Sequence, residues 1–234
     1  MKFLANLITI LSLFFGFLSI ILCVEGHFTF ASWAIMLSAV LDGLDGQVAR
    51  KNPIPSEFGK ELDSLADVVC FGIAPSILGY IFVYRDFYLW STLALFIYLL
   101  CSVMRLAKYN ITPKEIMANH FYGLPTTVSG GILASFILIF RKSGDFSPLP
   151  QYVPAIFLFM VLLLAFLMVS HVKYLNLDGL KQLFPGKAKA VVLSLSLLVF
   201  IAVIMNKTGV TVFTFLLIYL LLSPFVVKRL NGAH

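Results

Sequence analysis

The chain has 234 residues, of which 60% are hydrophobic and only 12% charged, with a formal net charge of +6. Soluble domains carry roughly 25% charged residues, so this composition excludes an ordinary soluble protein and points to one helical domain embedded in a membrane. The positive balance calls for no nucleic acid, because loop Lys and Arg residues facing anionic cytoplasmic lipid account for it.

Apolar runs of about 20 residues mark membrane helices. In chain order the predicted spans are 4–24, 29–49, 57–82, 88–107, 122–141, 150–171, 188–206 and 209–227, eight in all. The first has no cleavage site behind it and is read as a retained span, not a removed signal peptide. The second and third lose apolar character at one end, where Asp42, Asp45, Asp63 and Asp67 sit. The linker between them holds Pro53 and Pro55, and Ser56 is placed to cap the third helix. Residues 144–150 and 178–186 are further breaks, and 174–184 has room for a short interfacial helix. Cys23, Cys70 and Cys101 lie in apolar stretches without metal-ligand spacing and read as small core residues. No repeat, soluble tail or low-complexity segment stands out. The expectation is an all-α integral membrane protein with a single catalytic domain, its core at residues 1–175 and two further spans at 188–227.

The basic residues set the orientation. With the N-terminus in the cytoplasm, 13 of the 17 Lys and Arg fall on that side, leaving Arg85, Arg141, Lys142 and Lys207 on the other. Both termini and the aspartates are therefore expected at the cytoplasmic face of the cell membrane.

The segment 41–67 reads L-D-G-L-D-G-Q-V-A-R-K-N-P-I-P-S-E-F-G-K-E-L-D-S-L-A-D. An acid inside a span is costly and marks a functional site by default. At about 100° per residue, Asp42 and Asp45 lie some 60° apart on one helix, with Gly46 and Ala49 on the same face. On the next helix, Gly59, Asp63 and Asp67 step round by about 40° each. A short linker makes the two helices antiparallel neighbours, so the two pairs of acids face each other. Crowded carboxylates call for cations. Oxygen-only ligands suit a hard divalent ion, Mg²⁺ or Mn²⁺, and two such ions hold a phosphoryl group well. The small residues leave room for a ligand, and Arg50 adds a fixed charge suited to phosphate.

The pattern D-x-x-D-G-x-x-A-R-x8-G-x-x-x-D-x-x-x-D, running from Asp42 to Asp67, resembles the signature of the CDP-alcohol phosphotransferase family. The resemblance implies a membrane enzyme of that helical bundle type. Such enzymes move a phosphatidyl or similar group from a CDP-linked donor to an alcohol and release CMP. It implies that Asp42, Asp45 and Asp63 hold one divalent metal, that Asp42, Asp63 and Asp67 hold a second, and that Asp67 is the general base. Gly46, Ala49, Arg50, Ser56 and Gly59 would line the cytidine diphosphate site. A homodimer is a further expectation from the family.

The flanks resemble the bacterial and archaeal phosphatidylserine synthase branch. They include N-L-I-T-I-L-S-L-F-F-G-F-L-S-I from Asn6, in which Asn6 and Thr9 would lie near the donor nucleotide. Ser12 stands where that branch often has Asn. E-F-G-K-E-L-D-S-L-A-D-V-V-C-F-G-I-A-P, M-R-L-A-K-Y-N, F-Y-G-L-P-T-T and L-M-V-S-H-V-K-Y also match its motifs. The substrates implied are CDP-diacylglycerol and L-serine. Arg105 and Lys108, three residues apart on one helix face, would hold the serine carboxylate or a donor phosphate. Asn110 would bond substrate or cap its helix. His120 and His171 are lone histidines near helix ends and are given no role. Two alternatives remain at this level: a sister enzyme with another alcohol or an archaeal ether-lipid donor, and a cation transporter or channel. The second leaves the Gly-Ala-Arg spacing unexplained.

Overall fold

A computed structural model describes residues 2–50, 57–83, 88–112, 120–140, 149–175 and 208–231. Helix α1 (Lys2–Val24) ends at Gly26, whose φ of 82° is open to glycine at little cost. Gly26 N–H donates to Cys23 O and His27 N–H to Leu22 O, so the last carbonyls of α1 are capped before α2 (Phe28–Arg50) begins. The two helices pack more extensively than any other pair. Small residues allow it: the Ser12 and Ser38 hydroxyls lie 2.8 Å apart across the seam, and Ser19 donates to Ala31 O.

The third span is one helical rod, Glu57–Val83, made of α3 (Glu57–Asp67), a π-helical stretch (Val68–Ile73) and α4 (Ala74–Val83). Pro75 explains the widened turn. It has no N–H to give, and its ring cannot sit against the carbonyl four residues earlier, that of Phe71. The freed Phe71 oxygen accepts instead from the Tyr98 hydroxyl at 3.0 Å. Tyr98 belongs to α5 (Tyr88–Ile111) and is fully buried. The π stretch begins one residue after Asp67, and there α1 comes close: a Cβ on Gly16 would lie 2.5 Å from Cys70 Sγ.

Helix α6 (Thr126–Phe140) corrects the predicted 122–141 span. Residues 120–122 are strand β1, and Gly123 turns the chain with φ of 77°. At 15 residues α6 extends about 22 Å, less than the hydrocarbon thickness of about 30 Å. Protein packs around most of its length, from Ser129 to Ile137. Helix α7 (Tyr152–Val169) leads into strand β2 (Lys173–Leu175), antiparallel to β1 with Phe121 opposite Tyr174. The bundle is helical as expected, and this three-residue ladder is a local addition that occupies the first two residues of the predicted interfacial helix. Helix α8 (Thr208–Asn231) closes the bundle against α6 and β2.

Among the described residues, six helices are long and apolar enough to cross a membrane, and α6 is a shorter apolar one. The predicted 188–206 span lies outside the described residues. Exposed Phe14, Phe17, Trp90, Phe159 and Phe166 give the bundle the apolar exterior that lipid requires. Phe82, Phe136 and Phe157 form the aromatic core, with centroids 5.2–6.3 Å apart. They lie toward the end of α4 away from the acids.

Candidate active site

The two acidic helices meet as their spacing requires. Asp42 on α2 and Asp63 and Asp67 on α3 each offer a carboxylate oxygen, and the three atoms lie within 4.8 Å of one another. All three residues are partly buried. Asp45 is turned differently. It is only 4% exposed, and its Oδ2 accepts a 2.8 Å hydrogen bond from Thr9 Oγ1 of α1. It still interacts electrostatically with Asp42 and Asp63. The structure thus assembles three of the four acids and ties the fourth to the first helix, one turn on from half-buried Asn6.

Space is left beside them. A Cβ built on Gly46, or on Gly43, meets nothing within 4 Å. Gly59 is half-buried in the first turn of α3. Ala49 and Arg50 end α2, and Ser56 lies outside the described residues.

The facing wall comes from α5 and α6. Arg105 of α5 interacts electrostatically with Asp67 and Asp42. One guanidinium nitrogen, Nη1, donates to Thr126 Oγ1 at 3.1 Å, and the group lies 5.8 Å from the centre of the Tyr109 ring. Among the described residues, the buried Arg105 Nε has no hydrogen-bond partner. A buried donor left so costs about 1–3 kcal/mol, which an anionic ligand would offset. Lys108, three residues on, is exposed. The Asn110 side chain donates to Ser64 Oγ at 2.8 Å, and its backbone oxygen accepts from Lys60, so it joins the end of α5 to α3.

Two residues that spacing did not single out complete the wall. Thr126, in the first turn of α6, holds Arg105, and the neighbouring Thr127 donates to Asp42 Oδ2 at 3.1 Å. Their signal in the sequence is the Thr-Thr pair after Gly-Leu-Pro, which is the composition of a helix start and closes the F-Y-G-L-P-T-T motif.

This geometry stands in a sequence with relatives. The profile of the CDP-alcohol phosphatidyltransferase family matches residues 2–164, which include every acid of the cluster, Arg105 and both threonines. The chain belongs to the CDP-alcohol phosphatidyltransferase family. It is therefore a membrane-embedded transferase of phospholipid synthesis. A CDP-diacylglycerol–serine O-phosphatidyltransferase of Helicobacter pylori is 35% identical over 176 residues, 75% of this chain and 73% of its own. One of Methanocaldococcus jannaschii is 36% identical over 173 residues, 73% and 72% of the two chains. An archaetidylserine synthase of Methanothermobacter thermautotrophicus is 34% identical over 179 residues, 76% and 71%. The cluster of this phosphatidyltransferase also suits a metal: three carboxylates with no nitrogen or sulfur ligand are the donor set of a hard divalent cation.

Proposed function

We propose that this enzyme transfers the phosphatidyl group of CDP-diacylglycerol to L-serine, giving phosphatidylserine and CMP. The observation that carries the reading is the pairing of a carboxylate trio with a partly buried Arg105, whose buried Nε has no partner among the described residues, across the same site. A diphosphate donor needs the first, and an acceptor with its own carboxylate is matched by the second. The serine acceptor named for the relatives points the same way.

Asp42, Asp63 and Asp67 would hold one divalent cation. Asp42, Asp45 and Asp63 would hold a second. Mg²⁺ or Mn²⁺ fits these ligands, and such ions neutralise the donor diphosphate and the departing CMP. The chain's own residues do the rest. The open space at Gly46 receives the cytidine diphosphate, and Asn6, Thr9, Ala49, Arg50, Ser56 and Gly59 are assigned to bind it. Arg105 orients serine through its carboxylate. Asp67 takes the proton of the serine hydroxyl as that oxygen bonds to the β-phosphorus. The bond from this phosphorus to the CMP oxygen breaks, and its electron pair leaves with CMP. The site faces the cytoplasm, where serine and CMP are soluble, while the acyl chains remain in lipid beside the helices.

A second reading rests on the archaetidylserine synthase relative: the same transfer to serine from an ether-linked donor. Purified protein assayed for CMP release decides between them. CDP-diacylglycerol and its ether analogue are each offered with serine, glycerol 3-phosphate and inositol phosphate. The proposal expects release with CDP-diacylglycerol and serine. Release with glycerol 3-phosphate or inositol phosphate in place of serine would overturn the acceptor, and release from the ether donor alone would overturn the donor.

A further inference from the structure

The last helix, α8, lies beyond the residues matched by the family profile, yet it reaches the active site through a chain of hydrogen bonds. Two of its side chains hold one residue of β2. The Tyr219 hydroxyl donates to Leu175 O at 2.8 Å, and Ser223 Oγ accepts from Leu175 N–H. Both backbone polar groups of Leu175 are thus bonded to α8. The Tyr219 ring also stacks on Tyr174, which is 1% exposed, with centroids 6.3 Å apart.

From Leu175 the ladder carries the constraint onward. β2 pairs with β1, His120 opposite Leu175 and Tyr122 opposite Lys173. Directly after β1, Gly123 N–H donates to Val172 O and Leu124 N–H to Leu167 O. No other residue fits at Gly123, because its φ is 77° and a Cβ would collide with the carbonyl oxygen of Met168. Three and four residues later stand Thr126 and Thr127, whose hydroxyls hold Arg105 and Asp42. Tyr219 also interacts electrostatically with Arg105, so α8 approaches the same guanidinium from its own side.

We infer that Tyr219 and Ser223 are positioning residues for the acceptor side of the site, setting Arg105 through the β1–β2 ladder and Thr126. Loss of the Tyr219 hydroxyl releases Leu175 O, loosens β2, and lets the start of α6 shift. A site that must hold a small acceptor in line with a phosphorus is sensitive to such a shift. The acid side meets this chain of bonds at Thr127 and Asp42, but is anchored independently by α1 through Thr9 and Asp45.

The inference rests on the reading of Arg105 as the acceptor-binding group, and the test separates the two. Steady-state CMP release is measured on the full-length enzyme in lipid nanodiscs, varying acceptor and donor in turn, together with the thermal midpoint of each variant. The acceptor is whichever alcohol the wild type uses, so failure of serine in the wild type refutes the serine assignment alone. Tyr219→Phe is expected to raise the acceptor KM about 5–10-fold, one neutral hydrogen bond's worth, leaving the donor KM within about twofold. Ser223→Ala behaves likewise, and Ser223→Thr, which keeps the hydroxyl, recovers wild-type values. Tyr219→Phe combined with Thr126→Val is expected to change the acceptor KM by clearly less than the product of the single effects, because both act on one linkage. An unchanged acceptor KM in Tyr219→Phe, equal rises in both KM values that follow the thermal midpoint, or independent multiplication in the double variant would each overturn it.

Discussion

The two walls of the active site are built in opposite ways. The acidic wall comes from two consecutive helices, and its four aspartates fall within 26 residues of sequence. The cationic wall draws Arg105 from α5, Thr126 and Thr127 from α6, and its support from a ladder and from Tyr219 and Ser223, more than 100 residues beyond Arg105. The first is a local construction, in which helical periodicity alone puts the acids on facing surfaces. The second exists only after the bundle has folded. A catalytic centre can therefore be half local and half tertiary, with the reacting charges encoded nearby and their orientation at a distance.

Three substitutions sharpen this contrast. The largest effect is expected on the acidic wall. Asp67→Asn keeps the size of the side chain but removes the proposed proton acceptor, and kcat should fall about 10²–10⁴-fold. A rate near that of the wild type would remove Asp67 from the chemistry. On the cationic wall, Arg105→Gln removes a charge-assisted contact worth about 1.5–3 kcal/mol, so the serine KM should rise roughly 10–100-fold while the donor KM holds. Matching rises in both would mean that Arg105 serves the donor phosphates instead. The smallest effect is expected at Gly46. The space around it is open, so Gly46→Ala should leave the fold intact and even stabilise α2 by about 0.5–1 kcal/mol. The donor KM should nevertheless rise several-fold, because the added methyl group would occupy ligand space. An unchanged donor KM would place the nucleotide elsewhere.

The contrast also explains what was legible in the sequence. The pairing of Asp42 with Asp63 and Asp67 followed from spacing and a short linker. The separate treatment of Asp45 did not, because it depends on Thr9 of α1 packing beside it, and nothing within residues 41–67 encodes that neighbour. The π-helical turn after Asp67 had a visible cause in Pro75, but its partner, the Tyr98 hydroxyl, is 23 residues farther along the chain. Hydropathy overextended α6 by four residues at its start, since the apolar character of Tyr122 and Leu124 masks the turn at Gly123. Asn110 read as a substrate or capping residue, and the folded chain bonds it to Ser64. The C-terminal part offered only hydropathy. Tyr219 and Ser223 look like ordinary polar residues of a span until β2 is found beside them.

The central claim is that the aspartate cluster, loaded with a divalent cation, passes a phosphatidyl group to serine. CMP release from CDP-diacylglycerol by the purified enzyme, titrated with Mg²⁺ or Mn²⁺ in the presence and absence of serine, tests it most directly. The account predicts release only when both cation and serine are present, its loss on chelation, and recovery when the cation is restored. Serine-dependent release that persists without any divalent cation, or cation-dependent release that ignores serine, would contradict it.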